Sequence, residues 1–497
     1  MLNRKHINTM SLLLAATMMI SMTACSNRDE KNTDTSSESS TSATSDLEPG
    51  PDGSEGEDAE SESSAPKSTG SLTTDEEISN SSDGEHAIEV DGEDASYSKV
   101  HVTKTGDSEE GDEADFYGDN AAVFATNGAT LDLSDLVIET DGKHANAVFS
   151  YGEETTVNIS NSEIRTSGNC SGGLMTTGGG TMNAENLTIH TTGNSSAAIR
   201  SDRGGGTVNV TGGSYTTDGK GSPVIYSTAD ITVNDAQMES TSSQGVVVEG
   251  RNSVTLNNVS LVADNNSKNS DKSEWYQAVM IYQSMSGDAK EGEASFSMKD
   301  GSLVNKNGDI FFVNNTVTTI TLENVAITNQ DNEGVFLRAA AAGWGSEGSN
   351  GGKVNLYLKN QKQDGDILVD SVSALNMYLT SGSTYQGAIN PDNEGKVYVE
   401  IESGSKWVLT GDSYVTSLTC DADAIDLNGH TLYVNGVAYS EGTASIGEAI
   451  TLVTESSSER SKGGPEGGDH EAPPSGEKPK GDPPSGKKEK KEKKEDS

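Results

Sequence analysis

Trp275 and Tyr276 lie side by side in a long polar insertion of this 497-residue chain, and Trp344 lies in a second, "RAAAAGWGSEGSNGG" from Arg338. These are the residues best suited to hold a ligand. An aromatic ring is a large apolar face that can stack on a sugar ring, and neighbouring carboxylates accept sugar hydroxyls. The chemistry indicated is glycan binding; the alternative is that the rings only pin down their loops. Little in the chain points to catalysis, and no catalytic residue is assigned. "RSDRG", Arg200 to Gly204, reads as a surface turn. His144, His190 and His430 are far apart in sequence and predict no metal cluster. No loop has EF-hand spacing, although an acidic surface is compatible with calcium. No other cofactor is implied.

The elements that carry these insertions repeat. "LDLSDLVI" from Leu131, "VNISNSEI" from Val157, "MNAENLTI" from Met182 and "VNVTGGSY" from Val208 align, followed by "ITVNDAQM", "VTLNNVSL", "FSMKDGSL" and "ITLENVAI". Apolar residues alternate as in a half-buried strand. The fifth place is Asp135, Asn161, Asn186, Gly212, Asp235, Asn258, Asp300 and Asn324. Gly, Asn and Asp are the residues that best tolerate a left-handed backbone, so this place predicts a bend between two short strands and a ladder of bend residues. A second apolar cluster follows each repeat, centred on Val123, Val148, Leu174, Ile199, Ile225, Val247, Met280, Phe311 and Phe336. A spacing mostly in the twenties, made of strands and turns, is a solenoid signature. The fold class expected is all-β: a right-handed parallel β-helix of about twelve coils, a handedness that parallel crossover connections favour. The insertions after Tyr282 and Leu337 leave the same kind of turn two coils apart. Loops grouped on one face of a solenoid form its binding surface.

The ends differ in composition. Residues 1–24 carry a short apolar run that reads as an export signal. Residues 25–85 are acidic and Ser/Thr-rich and read as a disordered tether. The repeats occupy 86–454, and 455–497 form a second low-complexity tail ending in Lys and Glu. The net charge of -44 excludes nucleic acid as a partner. Cys170 and Cys420 fall many coils apart, so no disulfide between them is expected.

"MTAC", Met22 to Cys25, resembles a bacterial lipoprotein signal, in which the cysteine becomes the lipid-bearing first residue. That resemblance implies lipidation at Cys25, attachment to a membrane through the N-terminal lipid, and location in the bacterial cell envelope outside the cytoplasmic membrane. The repeats resemble the pectin-lyase-like right-handed β-helix superfamily. Residues 405–436 are similar to the closing segment of pertactin-like autotransporter passengers, where the resemblance implies display of an adhesin. The superfamily includes polysaccharide lyases and glycosidases, but the repeats lack the Asp-Asp, Gly-His-Gly and Arg-Ile-Lys motifs of polygalacturonase-type hydrolases. The expected function is therefore non-catalytic binding or adhesion to a glycan, a cell-wall polymer or another surface partner, with Trp275, Tyr276 and Trp344 at the binding face. A carbohydrate-active enzyme with an unrecognised site and a purely structural stalk are the alternatives. An aligned carboxylate pair with a basic residue in an aromatic-lined groove would distinguish the enzyme.

Overall fold

A computed structural model describes residues 72–268 and 270–453. The export signal, Cys25, nearly all of the tether and the C-terminal tail lie outside the described residues. The described chain is all-β, with nearly all of its strands stacked in parallel sheets and one six-residue helix, Asp112–Tyr117.

One repeat shows how the sequence produces this. Thr156–Ser160 alternates half-buried and buried residues, with Val157 and Ile159 inward. Asn161 then takes φ 48°, and the chain continues as Glu163–Thr166. After a turn it runs through Leu174–Thr177. Each strand pairs in parallel with its equivalent in the repeats before and after. The first two strands of each repeat belong to a sheet of 21 strands, and the third to a sheet of 11. The side chains between the sheets form one continuous apolar core that includes Ile159, Val210, Leu256 and Leu322, all at most 2% exposed.

The bend residues all have positive φ, from 48° at Asn161 to 71° at Gly212. Three neighbouring pairs bond through their side chains: Asn186 to Asn161 at 2.9 Å, Asn258 to Asp235 at 2.7 Å and Asn324 to Asp300 at 2.7 Å. The first-strand alignment also matches the pairing, since Leu131, Val157, Met182, Val208, Ile231, Val254, Phe296 and Ile320 are successive partners. The second cluster needs correction. Ile225 pairs with Val246, not Val247, and the register continues through Val279, Phe311 and Leu337. A slip of one residue in a strand exchanges its two faces, so Val247 and Met280 point away from the core. The expected start of the repeats at 86 is also too late: Glu76–Asn80 already pairs with Val100–Lys104.

The corner between the second and third strands is tight. A Cβ on Gly193 would lie 1.8 Å from the Gly168 carbonyl oxygen, and one on Gly219 would lie 1.8 Å from that of Gly193. Hydroxyls satisfy the buried backbone there: Thr191 donates to the Ser196 carbonyl, and the Ser196 amide donates to the Ser222 hydroxyl at 2.9 Å. Cys420 is a free buried thiol and does not bridge to Cys170.

Candidate functional site

The larger sheet exposes its outward residues, whereas the smaller sheet beyond its first strand is covered on both faces over much of its length. Gln277–Tyr282 and Asp309–Asn314 are buried at every position. On the outward face of the smaller sheet, Phe124, Phe149, Met175, Arg200, Tyr226, Val247, Met280 and Phe312 follow one another in register. Both ends of this row are apolar. Phe124, Phe149 and Met175 form one cluster with Ala121, beside the short helix. Val247, Met280 and Phe312 form another with Tyr282 and Trp344, beneath the insertions. The polar pair Arg200 and Tyr226 interrupts the row between them.

A small cleft opens at that interruption, with Asp202 and Glu249 in its lining. The short helix brings Asp115 behind it to Arg200, after which Gly118 in a left-handed conformation turns the chain away. Arg200 donates from Nη1 to Asp115 at 3.1 Å and from Nη2 to Asp202 at 2.8 Å, and all three side chains are at most 5% exposed. The loop after Tyr282 adds Asp288, which accepts from Arg203 at 2.8 Å. Arg203 also lies 3.9 Å over the Phe116 ring. Glu249 is 1% exposed and accepts bonds from the hydroxyls of Tyr226, Tyr282 and Ser284.

This arrangement divides the carboxyls electrostatically. Burial works to raise Asp115, but the Arg200 charge and the His144 contact together hold it below its ordinary value. Burial pushes Asp202 up to about 7; Arg200 opposes the rise, while the charges of Asp115 and Asp288 add to it. Glu249 is raised, first by burial, against the lowering effect of its three hydroxyl bonds. Tyr226 and Tyr282 are pushed well above their ordinary values, first by burial and then by the Glu249 charge, so both remain hydroxyl donors. Gln277 also lines the cleft. It is 1% exposed, and its Oε1 has no hydrogen-bond partner.

The structure brings together two of the three aromatic residues singled out in the sequence. Trp275 and Tyr276 are half-buried in the cleft wall. Trp275 packs on Phe312 with ring centroids 5.5 Å apart, and Arg338 lies 4.6 Å over the Trp275 ring. Trp344 does not present a face to a ligand: it is 1% exposed, with its ring edge-on to Tyr282 at 5.2 Å. Its loop touches the first insertion, where the Gly343 amide donates to the Lys272 carbonyl at 2.7 Å. Trp344 therefore wedges two loops together. The expected surface turn at Arg200 to Gly204 is also corrected. Arg200 and Asp202 are buried because the helix and the loop after Tyr282 cover them.

His144 is not isolated either. Its Nδ1 is 3.2 Å from Asp115, and ligand atoms of Asp115, His144 and Cys170 lie within 4.8 Å of one another. Cys170 is disulfide-bonded, so its sulfur is not a thiolate ligand. Tyr226, Glu249 and Asp288 were not singled out in the sequence. The one available signal was an acid placed directly after the apolar run "VVV".

No known family, no curated protein and no solved structure matches this chain.

Proposed function

We propose that this chain is a lipid-anchored protein of the bacterial cell envelope, built as a right-handed parallel β-helix of the pectin-lyase-like kind, whose cleft on the smaller sheet binds a neutral glycan. The β-helix reading is supported by the three-strand repeat, in which every strand of a repeat pairs with its equivalents in the adjacent repeats. The pertactin-like closing segment and the "MTAC" signal support display from a membrane through lipid on Cys25.

The observation that carries the binding reading is a buried polar floor beneath an aromatic wall. Asp202, Glu249 and Gln277 line this space, and Trp275 and Tyr276 border it. A polyanion would meet Asp202, Glu249 and Asp288 at close range, so the neutral class is favoured. A single chain stacks on few rings and binds weakly; many anchored copies add avidity.

The test is affinity electrophoresis of the full-length protein in gels containing laminarin, xylan, galactomannan or dextran. At least one polymer should retard it, and Trp275→Ala should lower that affinity about tenfold. Equal mobility with and without all four polymers would reject glycan binding. For the anchor, growth with a fatty-acid analogue should label the wild type and leave Cys25→Ala unlabelled; an unlabelled wild type would remove the lipoprotein reading.

A further inference from the structure

Residues 283–292 form a loop over the cleft and belong to no strand. Ser284, Ser286 and Asp288 line its inner side. No residue of the loop joins the core or either of the smaller apolar clusters. Its base is fixed: Asn315 donates to the Gln283 carbonyl at 2.8 Å, and the Arg251 amide donates to that of Lys290 at 2.9 Å. Between those points Ser284 donates to Glu249, and Asp288 accepts from Nε and Nη2 of Arg203 at 3.1 and 2.8 Å. A Cβ on Gly287 would meet nothing within 4 Å, so the tip has open space above it.

The charges beneath the loop do not balance without a proton. Among the described residues one guanidinium, Arg200, bonds two carboxyls, Asp115 and Asp202, and all three are at most 5% exposed. His144 stands 3.2 Å from Asp115, but its buried Nε2 has no hydrogen-bond partner, so a second ring proton would have no acceptor. A buried charge without its counter-charge is strongly unfavourable, and Asp202 is the group placed to take the proton. Burial raises its carboxyl to about 7 against Arg200, and the charges of Asp115 and Asp288 add to the rise.

We propose that residues 283–292 are a pH-dependent lid: a proton on Asp202 latches the loop closed, and its loss to solvent lets the loop lift and open the cleft. The inference rests on the glycan-binding reading for what then enters; the latch itself needs no ligand. With the proton in place, Asp202 accepts from Arg200 at 2.8 Å and from the Arg203 amide at 3.0 Å, beside an intact pair of Arg203 and Asp288. Without it, three carboxylates, from the sheet, the helix and the loop, face two guanidinium groups. The hydroxyls of Tyr226 and Tyr282 also face Asp202 and keep their protons. Glu249 lies two repeats beyond Asp202 with Tyr226 between them, and Asp288 and Lys272 are the charges near it. The helix stays in place, because Thr177 donates to the Phe116 carbonyl at 2.7 Å and Asn146 to Asp115 at 3.1 Å. The loop yields, and water in its place hydrates the new carboxylate. A hydrated Asp202 returns to the ordinary carboxylate range, so the advantage of the closed form is full at low pH and lost as pH rises to about 7.

The experiment places a thiol on the covered side of the loop. Ala289 is 6% exposed, and full-length Ala289→Cys is treated with a thiol reagent, with peptide mass analysis to read that site. Each rate is divided by that of an unstructured peptide thiol at the same pH. The ratio should rise at least about tenfold from pH 5 to pH 8. Adding Asp202→Asn, which keeps the neutral form, should abolish the rise. Adding Asp288→Asn, which weakens the latch from the loop side, should raise the ratio already at pH 5, and it carries the test if Asp202→Asn does not fold by circular dichroism. A local lid exposes little surface, so the ratio should be flat in low urea. An equal ratio at both pH values, the same rise with Asp202→Asn, or a steep urea dependence would overturn the lid. Retardation of the wild type by a neutral polymer should strengthen over the same pH range. A rise in the ratio with no retardation at either pH would reject the glycan reading and leave the lid.

Discussion

The two sheets share the same core, yet their outer faces differ. On the larger sheet the outward places hold regular polar ladders: Asn158 bonds Asp132, Asn183 bonds Asn158 and Asn209 bonds Asn183, at 2.8, 2.9 and 3.0 Å. These residues are half-buried or exposed, and their function is accounted for by the next residue along. On the smaller sheet the outward row from Phe124 to Phe312 is apolar and covered, except at Arg200 and Tyr226. A charge in that position is desolvated and must be held by specific partners. The regular face stabilises the stack, and the interrupted face concentrates unlike groups in one place. Chemistry is therefore expected where the ladder is broken.

Substitutions on the two faces should separate this account from one in which the faces are equivalent. The largest effect is expected at Arg200. Arg200→Ala leaves Asp115 and Asp202 buried without their cation and should destabilise the protein by about 3–5 kcal/mol in denaturant unfolding. Leu256→Ala, in the core that both faces share, should cost about 2–5 kcal/mol, with no preference for either sheet in hydrogen exchange. A smaller, pH-dependent effect belongs to Asp202. Its carboxyl is raised in the folded state, so the unfolded chain binds fewer protons between its ordinary carboxylate range and about pH 7. The contribution to stability is thus full at low pH and lost as pH rises toward 7. Melting temperatures of the wild type should fall relative to Asp202→Asn over pH 4 to 7; parallel curves would contradict the buried, raised carboxyl. The smallest effect is expected on the open face. Arg165→Ala removes a half-exposed pair with Glu139 and should change stability by no more than about 1 kcal/mol. If Arg165→Ala cost as much as Arg200→Ala, the contrast between the faces would fail.

The first strands were legible in the sequence because one side of them meets water. Alternation fixes their register, and a bend residue such as Asn161 marks each repeat. The third strands were harder to read because both faces are buried. In "VVVEG" every residue before Glu249 is apolar, so periodicity could not distinguish Val246 from Val247, and the register slipped by one. The cleft was less legible still. "RSDRG" has the composition of a turn. Its burial depends on the helix at Asp112–Tyr117 and on Asp288, each some 85 residues away. Trp275 and Tyr276 stood out because large aromatics are rare in this chain. Trp344 stood out for the same reason, but rarity does not distinguish a ring that faces a ligand from one that wedges two loops.

The glycine corner has a consequence for how such a molecule changes over generations. Because Gly193 rests on Gly168 and Gly219 on Gly193, each unit presents the same seat that it occupies. A tandem duplication of about 25 residues can therefore be seated within that glycine run without disturbing its neighbours. The segment from Arg200 to Glu249 is different. An extra unit there would move the two carboxyls apart by one strand spacing and carry Tyr226 out of reach of one of them. Growth by duplication is thus open in the glycine-seated repeats before Arg200 and closed across those fifty residues, so the cleft should fix the local repeat number while the run before it is free to vary in length.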